Sequence, residues 1–157
     1  MLPIQAILWP TDASEPSMIA LETAIELAEN FKAKLYALQV VNQLPSIPEA
    51  GYPTATIYTG FDVSKYEKQL LKSSQEILNK IVEQKVPKTV QVETHVELGT
   101  AEKVIVNYAR EKNVGLIVMA THGRTGVAHL MLGSIAAKTI RNSTVPVLAI
   151  PIRPTGK

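Results

Sequence analysis

The sequence has 157 residues, 46% of them apolar, a formal net charge of +2 and no cysteine. That suits one globular domain with one core and is too apolar for a disordered chain. Scattered basic residues leave no footprint for nucleic acid, missing thiols exclude disulfides and thiolate metal sites, and no apolar run nears the roughly 18 residues of a membrane span. The expectation is a single cytoplasmic domain over residues 1–157, with no nucleic-acid and no membrane partner.

Short apolar runs alternate with amphipathic stretches. Ile4 to Pro10 reads as a strand. Met18, Leu21, Ile25 and Ala28 then recur at helical spacing within a helix from Glu15 to Phe31, capped by Ser14 or Asp12. Lys34 to Val41 is a second strand. The stretch from Asn42 to Gly60 carries three prolines and no basic residue, too long for an ordinary connection. Val63, Tyr66, Leu70, Ile77 and Ile81 mark a long helix. In "VQVETHVEL", Val92, Thr94, Val96 and Leu98 alternate with Glu93, His95 and Glu97, the pattern of an edge strand wetted on one face, His95 included. Gly99 and Thr100 open a short helix. Gly115 to Ala120 has no polar side chain and reads as a strand buried on both faces. A helix from about Ser134 to Arg141 and a strand from Val145 to Ile150 complete the chain.

This alternation predicts an α/β fold: an open five-stranded parallel sheet with helices on both faces, Rossmann-like. With "VQVETHVEL" at one edge, the strand order is 3-2-1-4-5. Winding reverses between the first and fourth strands, and ligands bind at the carboxyl ends of strands flanking such a switch point. Asp12 and the stretch from Met119 onward therefore face one crevice.

Gly133 and Ser134 open a helix there, whose free N–H groups and dipole favour an anion. Gly123 is free to take positive φ, and His122 and Arg124 add donors. The competing reading is a turn with an ordinary N-cap. Asp12 suits a ribose hydroxyl or an adenine amino group, or alternatively a cap on the helix that follows it. The loop lacks the G-x-x-x-x-G-K-(S/T) pattern, and no G-x-G-x-x-G follows the first strand. His95, His122 and His129 lie in no metal-ligand spacing, His129 reading as packed under the loop. No nucleophile elbow and no water-activating carboxylate is evident, so the reading leans away from an enzyme.

Three segments carry a resemblance: "ILWPTDASEPSMIALETAIELA", "VELGTAEKVIVNYAREKNVGLIVMATHGRTG" and "LGSIAAKTIRNSTVPVLAIP". The chain resembles the universal stress protein family, in particular its ATP-binding branch. The family's motif, G-x2-G-x9-G-(S/T), aligns as Ala120-x2-Gly123-x9-Gly133-Ser134. Alanine stands at the first position, and Gly126 falls outside the pattern. Gly115 stands where the family commonly places an aspartate. The resemblance implies ATP as ligand, with Mg2+ or Mn2+ carried by its phosphates. It implies that Asp12 contacts adenine or ribose and that Pro10 and Thr11 line that pocket. Val40 or Val41, with Val41 favoured, would hold the adenine by its main chain. Met119 and Ala120 would border the ribose, and His122, Gly123, Arg124, Gly133, Ser134 and Ile135 would surround the phosphates. It also implies a homodimer through Val145–Ile150, an apolar edge that needs a cover.

The functional expectation is a nucleotide-dependent stress or signalling module. The alternatives are a slow ATP-hydrolysing or adenylate-transferring enzyme, and an interaction protein without nucleotide.

Overall fold

The computed structural model describes residues 3–44, 62–122 and 132–152. Strands and helices alternate along the chain: β1 (Ala6–Thr11), α1 (Glu15–Phe31), β2 (Lys34–Val41), α2 (Val63–Lys85), β3 (Val92–Leu98), α3 (Ala101–Glu111), β4 (Leu116–Ala120), α4 (Ser134–Asn142) and β5 (Val147–Ile150). The strands form one parallel five-stranded sheet in the order β3-β2-β1-β4-β5, as the alternation predicts. Among the described residues no helix is long and apolar enough to cross a membrane.

Side chains of successive strand residues point to opposite faces, so the sheet has two cores. On one face Ile7, Trp9, Leu35, Ala37 and Val118 pack with Leu21 and Ala24 of α1 and Leu78 and Val82 of α2. On the other, Leu8, Leu38, Ile117 and Met119 pack with Val104, Ile105 and Tyr108 of α3 and Ala136 of α4. β1 lies at the centre and is buried along its whole length.

Pro10 sets where the central ladder ends. The Ala6 carbonyl accepts from Gly115 N–H, so the main chain of Ala6 faces β4. Main-chain groups of alternate residues face the same way, which turns Pro10 towards β4 as well. Proline has no N–H to give there. The β1–β4 register accordingly runs only through Ile7–Leu116 and Leu8–Ile117, whereas β1–β2 continues to Thr11–Gln39. The two strands flanking the switch point are thus least tied to each other at their carboxyl ends.

Two boundaries need correction. β1 starts at Ala6 rather than Ile4 and runs on to Thr11, because side-by-side pairing with β2 begins at Ala6–Lys34. β5 starts at Val147 rather than Val145: Ser143 Oγ accepts from Val145 N–H and donates to its carbonyl, which curls the chain there before it joins the ladder. His95 is wetted as the alternation predicts, its side chain 44% exposed on edge strand β3. It also stacks on Tyr108 with ring centroids 5.2 Å apart, and its Nε2 lies 3.4 Å from Glu97. The outer face of β3 is a charged and aromatic rim. Glu93 bridges Lys34 (2.7 Å) and Lys112 (3.1 Å), and both ammonium groups stand over the Tyr36 ring. Lys34 first, then Lys112, holds the Glu93 carboxyl below its usual range. Burial, reinforced by Glu93, pushes the Tyr108 hydroxyl up to about 12.

Candidate functional site

The carboxyl ends of β1, β2 and β4 meet at the switch point. Beyond β1 the chain turns into α1 through a run of side-chain-to-main-chain bonds. Thr11 Oγ1 accepts from Ala13 N–H at 3.0 Å and lies 2.7 Å from Ser17 Oγ. Asp12 Oδ1 accepts from Ser14 N–H at 2.9 Å. Ser17 Oγ donates to the Ser14 carbonyl, and Trp9 Nε1 donates to the Ser17 carbonyl. These bonds hold Ala13 at φ 61°, a left-handed conformation that costs an alanine about 1 kcal/mol. Asp12 therefore does not cap α1. Ser14 is the N-cap residue, and Asp12 closes an Asx turn two residues ahead. Pro10 and Thr11 are buried and Asp12 is half-buried.

Beyond β4 the arrangement differs. Ala120 packs its methyl into the α1-side core, so the group that replaces the motif's first glycine is taken up by packing. Met119 is buried on the opposite face. Thr121 N–H donates to the Ile150 carbonyl, and the Thr121 carbonyl accepts from Gly133 N–H at 2.7 Å, which ties the start of α4 to the end of β4. Thr121 Oγ1 lies 2.9 Å from His122 Nδ1. A Cβ on Gly133 would stand 2.6 Å from the Thr121 oxygen. The glycine is thus required by the approach of two backbones, independently of any ligand. Ser134 and Ile135 follow as the exposed first residues of α4.

The α4 N-terminus is electrostatically unlike the others. α1 has Thr11, Asp12 and Glu15 about its first turn. α2 is capped by Asp62, which accepts from Lys65 N–H. α3 carries Glu102 in its first turn, its carboxyl held below the usual range first by its own backbone N–H. α4 has Gly133 at the N-cap, no side-chain cap and no acidic residue in its first turn. A helix start of this kind favours negative charge by its dipole.

At the end of β2 the main chain alternates between neighbours. Lys34 N–H donates to Gln5 on the β1 side and Leu35 N–H to Gln91 on the β3 side. Val41 falls on the β3 side, and its carbonyl accepts from Gly99 N–H at 2.9 Å. Val40 faces β1. The Ala13 amide, next in line for the Val40 carbonyl, is turned to Thr11 Oγ1 instead.

Among the described residues, the buried side-chain atoms without a hydrogen-bond partner are Ser14 Oγ, Gln39 Oε1, Tyr108 Oη, His122 Nε2 and Thr139 Oγ1. Ser14, Gln39 and His122 are gathered at the ends of β1, β2 and β4. A buried polar atom left unpaired costs about 1–3 kcal/mol, and three such atoms lie at this one end of the sheet. Gln39 was not singled out from the sequence, and Ser14 only as a helix cap. The signal for Gln39 was present: an amide inside the apolar run "KLYALQVV", at the last step of the strand's pairing with β1.

The structure thus gathers Pro10, Thr11, Asp12, Met119, Ala120, His122, Gly133, Ser134 and Ile135 about the ends of β1 and β4, with Val40 and Val41 alongside at the end of β2. Gly123 and Arg124 lie outside the described residues, as do Gly126 and His129. No cluster of three or more histidine or carboxylate side chains able to hold a metal occurs among the described residues. A cavity of about 250 Å3 edged by Glu29, Lys32, Lys34 and Thr89 lies at the opposite end of the sheet and touches none of these groups.

Comparison with known proteins bears on the same region. The model of the Universal stress protein family matches residues 3–151. The chain is 34% identical over 145 residues to Universal stress protein MJ0531 of Methanocaldococcus jannaschii, covering 92% of this chain and 80% of that one. The structure of MJ0577, from the same organism, superimposes with a TM-score of 0.75 at 22% identity, covering 98% of this chain and 100% of that one. A universal stress protein solved in complex with cAMP superimposes with a TM-score of 0.63 at 21% identity, covering 96% and 98%.

Proposed function

The chain belongs to the universal stress protein family, and on that premise we propose that it binds ATP across the switch point between β1 and β4. The observation that carries the reading is the uncapped, acid-free N-terminus of α4 set beside the self-capped turn holding Asp12. Polyphosphate goes to the first, because free amides and the positive helix end stabilise anions. Base and ribose go to the second, where Asp12 repels phosphate and accepts from hydroxyl or amine. His122, with its unpartnered Nε2, adds a donor on the phosphate side. Gly123 and Arg124 complete that side by the motif.

The adenine is held by Val40 rather than Val41. The Val41 carbonyl is taken by Gly99, whereas the Val40 carbonyl points to the β1 side past the end of that ladder. A family neighbour solved with cAMP supports an adenine nucleotide as the ligand class. Mg2+ or Mn2+ enters with the phosphates. The protein acts as a nucleotide-dependent stress or signalling module, not a hydrolase, since Asp12 sits at the base end and spends Oδ1 on Ser14. It dimerises through β5, an edge strand whose Leu148 is 38% exposed.

Thermal unfolding with Mg-ATP tests the reading. At a ligand concentration 100 times the dissociation constant, stability rises by about 2.7 kcal/mol, and Asp12→Ala removes most of that rise. A melting curve that saturating Mg-ATP leaves unmoved overturns it.

A further inference from the structure

Gln39 has no place in the motif, yet it is the most deeply buried of the unpaired polar side chains around the crevice. It is 8% exposed, and its Oε1 has no hydrogen-bond partner among the described residues. Its Cα pairs in register with Thr11 on β1 and Val96 on β3, at the last step of the β1–β2 ladder. Ala37 and Val41, two residues either side, pack on the α1 face, so Gln39 shares that face. Thr11 is on it too, since its hydroxyl meets Ser17 of α1. Thr11 has spent its hydroxyl on Ser17 and Ala13, and Asp12 Oδ1 is held by Ser14. Gln39 Oε1 has no partner among the described residues, and Gln39 directly precedes Val40 at the carboxyl end of the β1–β2 ladder.

On the reading that an adenine nucleotide occupies the crevice, we infer that Gln39 is a specificity-determining residue whose Oε1 accepts a hydrogen bond from the exocyclic amine of the base. That amine has two N–H donors. One donates to the Val40 carbonyl, and the second donates to Gln39 Oε1. Guanine presents a carbonyl oxygen at the same ring position, which would face two acceptor oxygens and be rejected, since unpaired buried acceptors discriminate strongly.

The test compares ATP with purine riboside 5′-triphosphate, which lacks only the exocyclic amine, by titration calorimetry on the full chain. The variants are Gln39→Met and, as a second apolar replacement, Gln39→Leu. The wild type prefers ATP, and each variant reduces that preference by about three- to tenfold. Affinity for the deamino analogue stays as in wild type. The melting temperature of the ligand-free variants is equal to or above that of wild type, because a buried unpaired acceptor has been removed. An unchanged preference in both variants overturns the role of Gln39 while leaving ATP binding intact. Equal weakening of both ligands with a lower melting temperature overturns it too, in favour of a packing role. A wild type that binds neither triphosphate overturns the inference together with the reading beneath it.

Discussion

Two helices start at the carboxyl ends of adjacent strands, and the chain treats their first turns in opposite ways. Before α1, Thr11 and Asp12 satisfy the amides of Ala13 and Ser14, and Glu15 adds a negative charge. Before α4, Gly133 offers no side chain and its N–H is spent on Thr121, while Ser134 and Ile135 start a helix with no acidic residue in its first turn. One turn is closed by its own residues and bears negative charge. The other is held rigidly against β4 but left electrostatically incomplete. A ligand negative at one end and rich in hydrogen-bond donors at the other would find its orientation fixed by this difference. Holding the open end rigid matters as much as leaving it open, since preorganised amides need not be rearranged on binding.

The sharpest way to break the contrast is Gly133→Val. A β-carbon there meets the Thr121 oxygen at 2.6 Å, so β4 and α4 must part. We expect a loss of about 1–3 kcal/mol in stability and no rise in melting temperature on adding ATP. A variant that still responds to ATP would show that α4 does not need its seat on β4. Thr11→Val acts on the closed turn. It keeps the shape of a buried side chain but strands the Ala13 amide. Denaturant unfolding should show a loss of about 1–3 kcal/mol, with the preference for ATP over adenosine unchanged, because the phosphate end is untouched. Glu93→Gln, on the distant rim, is the smallest and serves as control. Lys34 and Lys112 hold the Glu93 carboxyl low, so its contribution is present above the unfolded glutamate pKa, near 4.5, and disappears as pH falls through the lower folded value. The variant should melt slightly below wild type at pH 7, equal it in strong acid, and bind ATP as wild type does.

The strand order was legible because it follows from alternation and one edge-like strand, both of which are coarse patterns. The end of the central ladder was legible in principle, since a proline in a buried strand must remove a donor somewhere. Which neighbour lost it depended on the direction of Ala6, which only pairing reveals. The choice between Val40 and Val41 was not legible for the same reason: a one-residue shift turns main-chain groups to the other neighbour. Gly133 was noticed as a place for a ligand to come close, and the structure adds a second backbone, that of Thr121, as an equally demanding neighbour. Asp12 was read as a ligand contact or a cap. It forms an Asx turn, a third use of the same carboxylate that sequence spacing alone does not separate from capping. Gln39 was passed over because a motif draws attention to glycines, whereas an unpaired amide shows itself only once its neighbours are in place.

The central claim is that the phosphates lie on the N-terminus of α4 and the base lies by Asp12 and Val40. Ser134→Asp tests it most directly, with ATP and adenosine titrated into wild type and variant. An acid at the first position of α4 favours the helix by about 0.3–1 kcal/mol, so folding is preserved. It repels phosphate at the same time. The account predicts ATP weakened about tenfold, adenosine affinity unchanged and a melting temperature no lower than that of wild type. ATP and adenosine affinities that move together, or an ATP affinity that does not move, would contradict it.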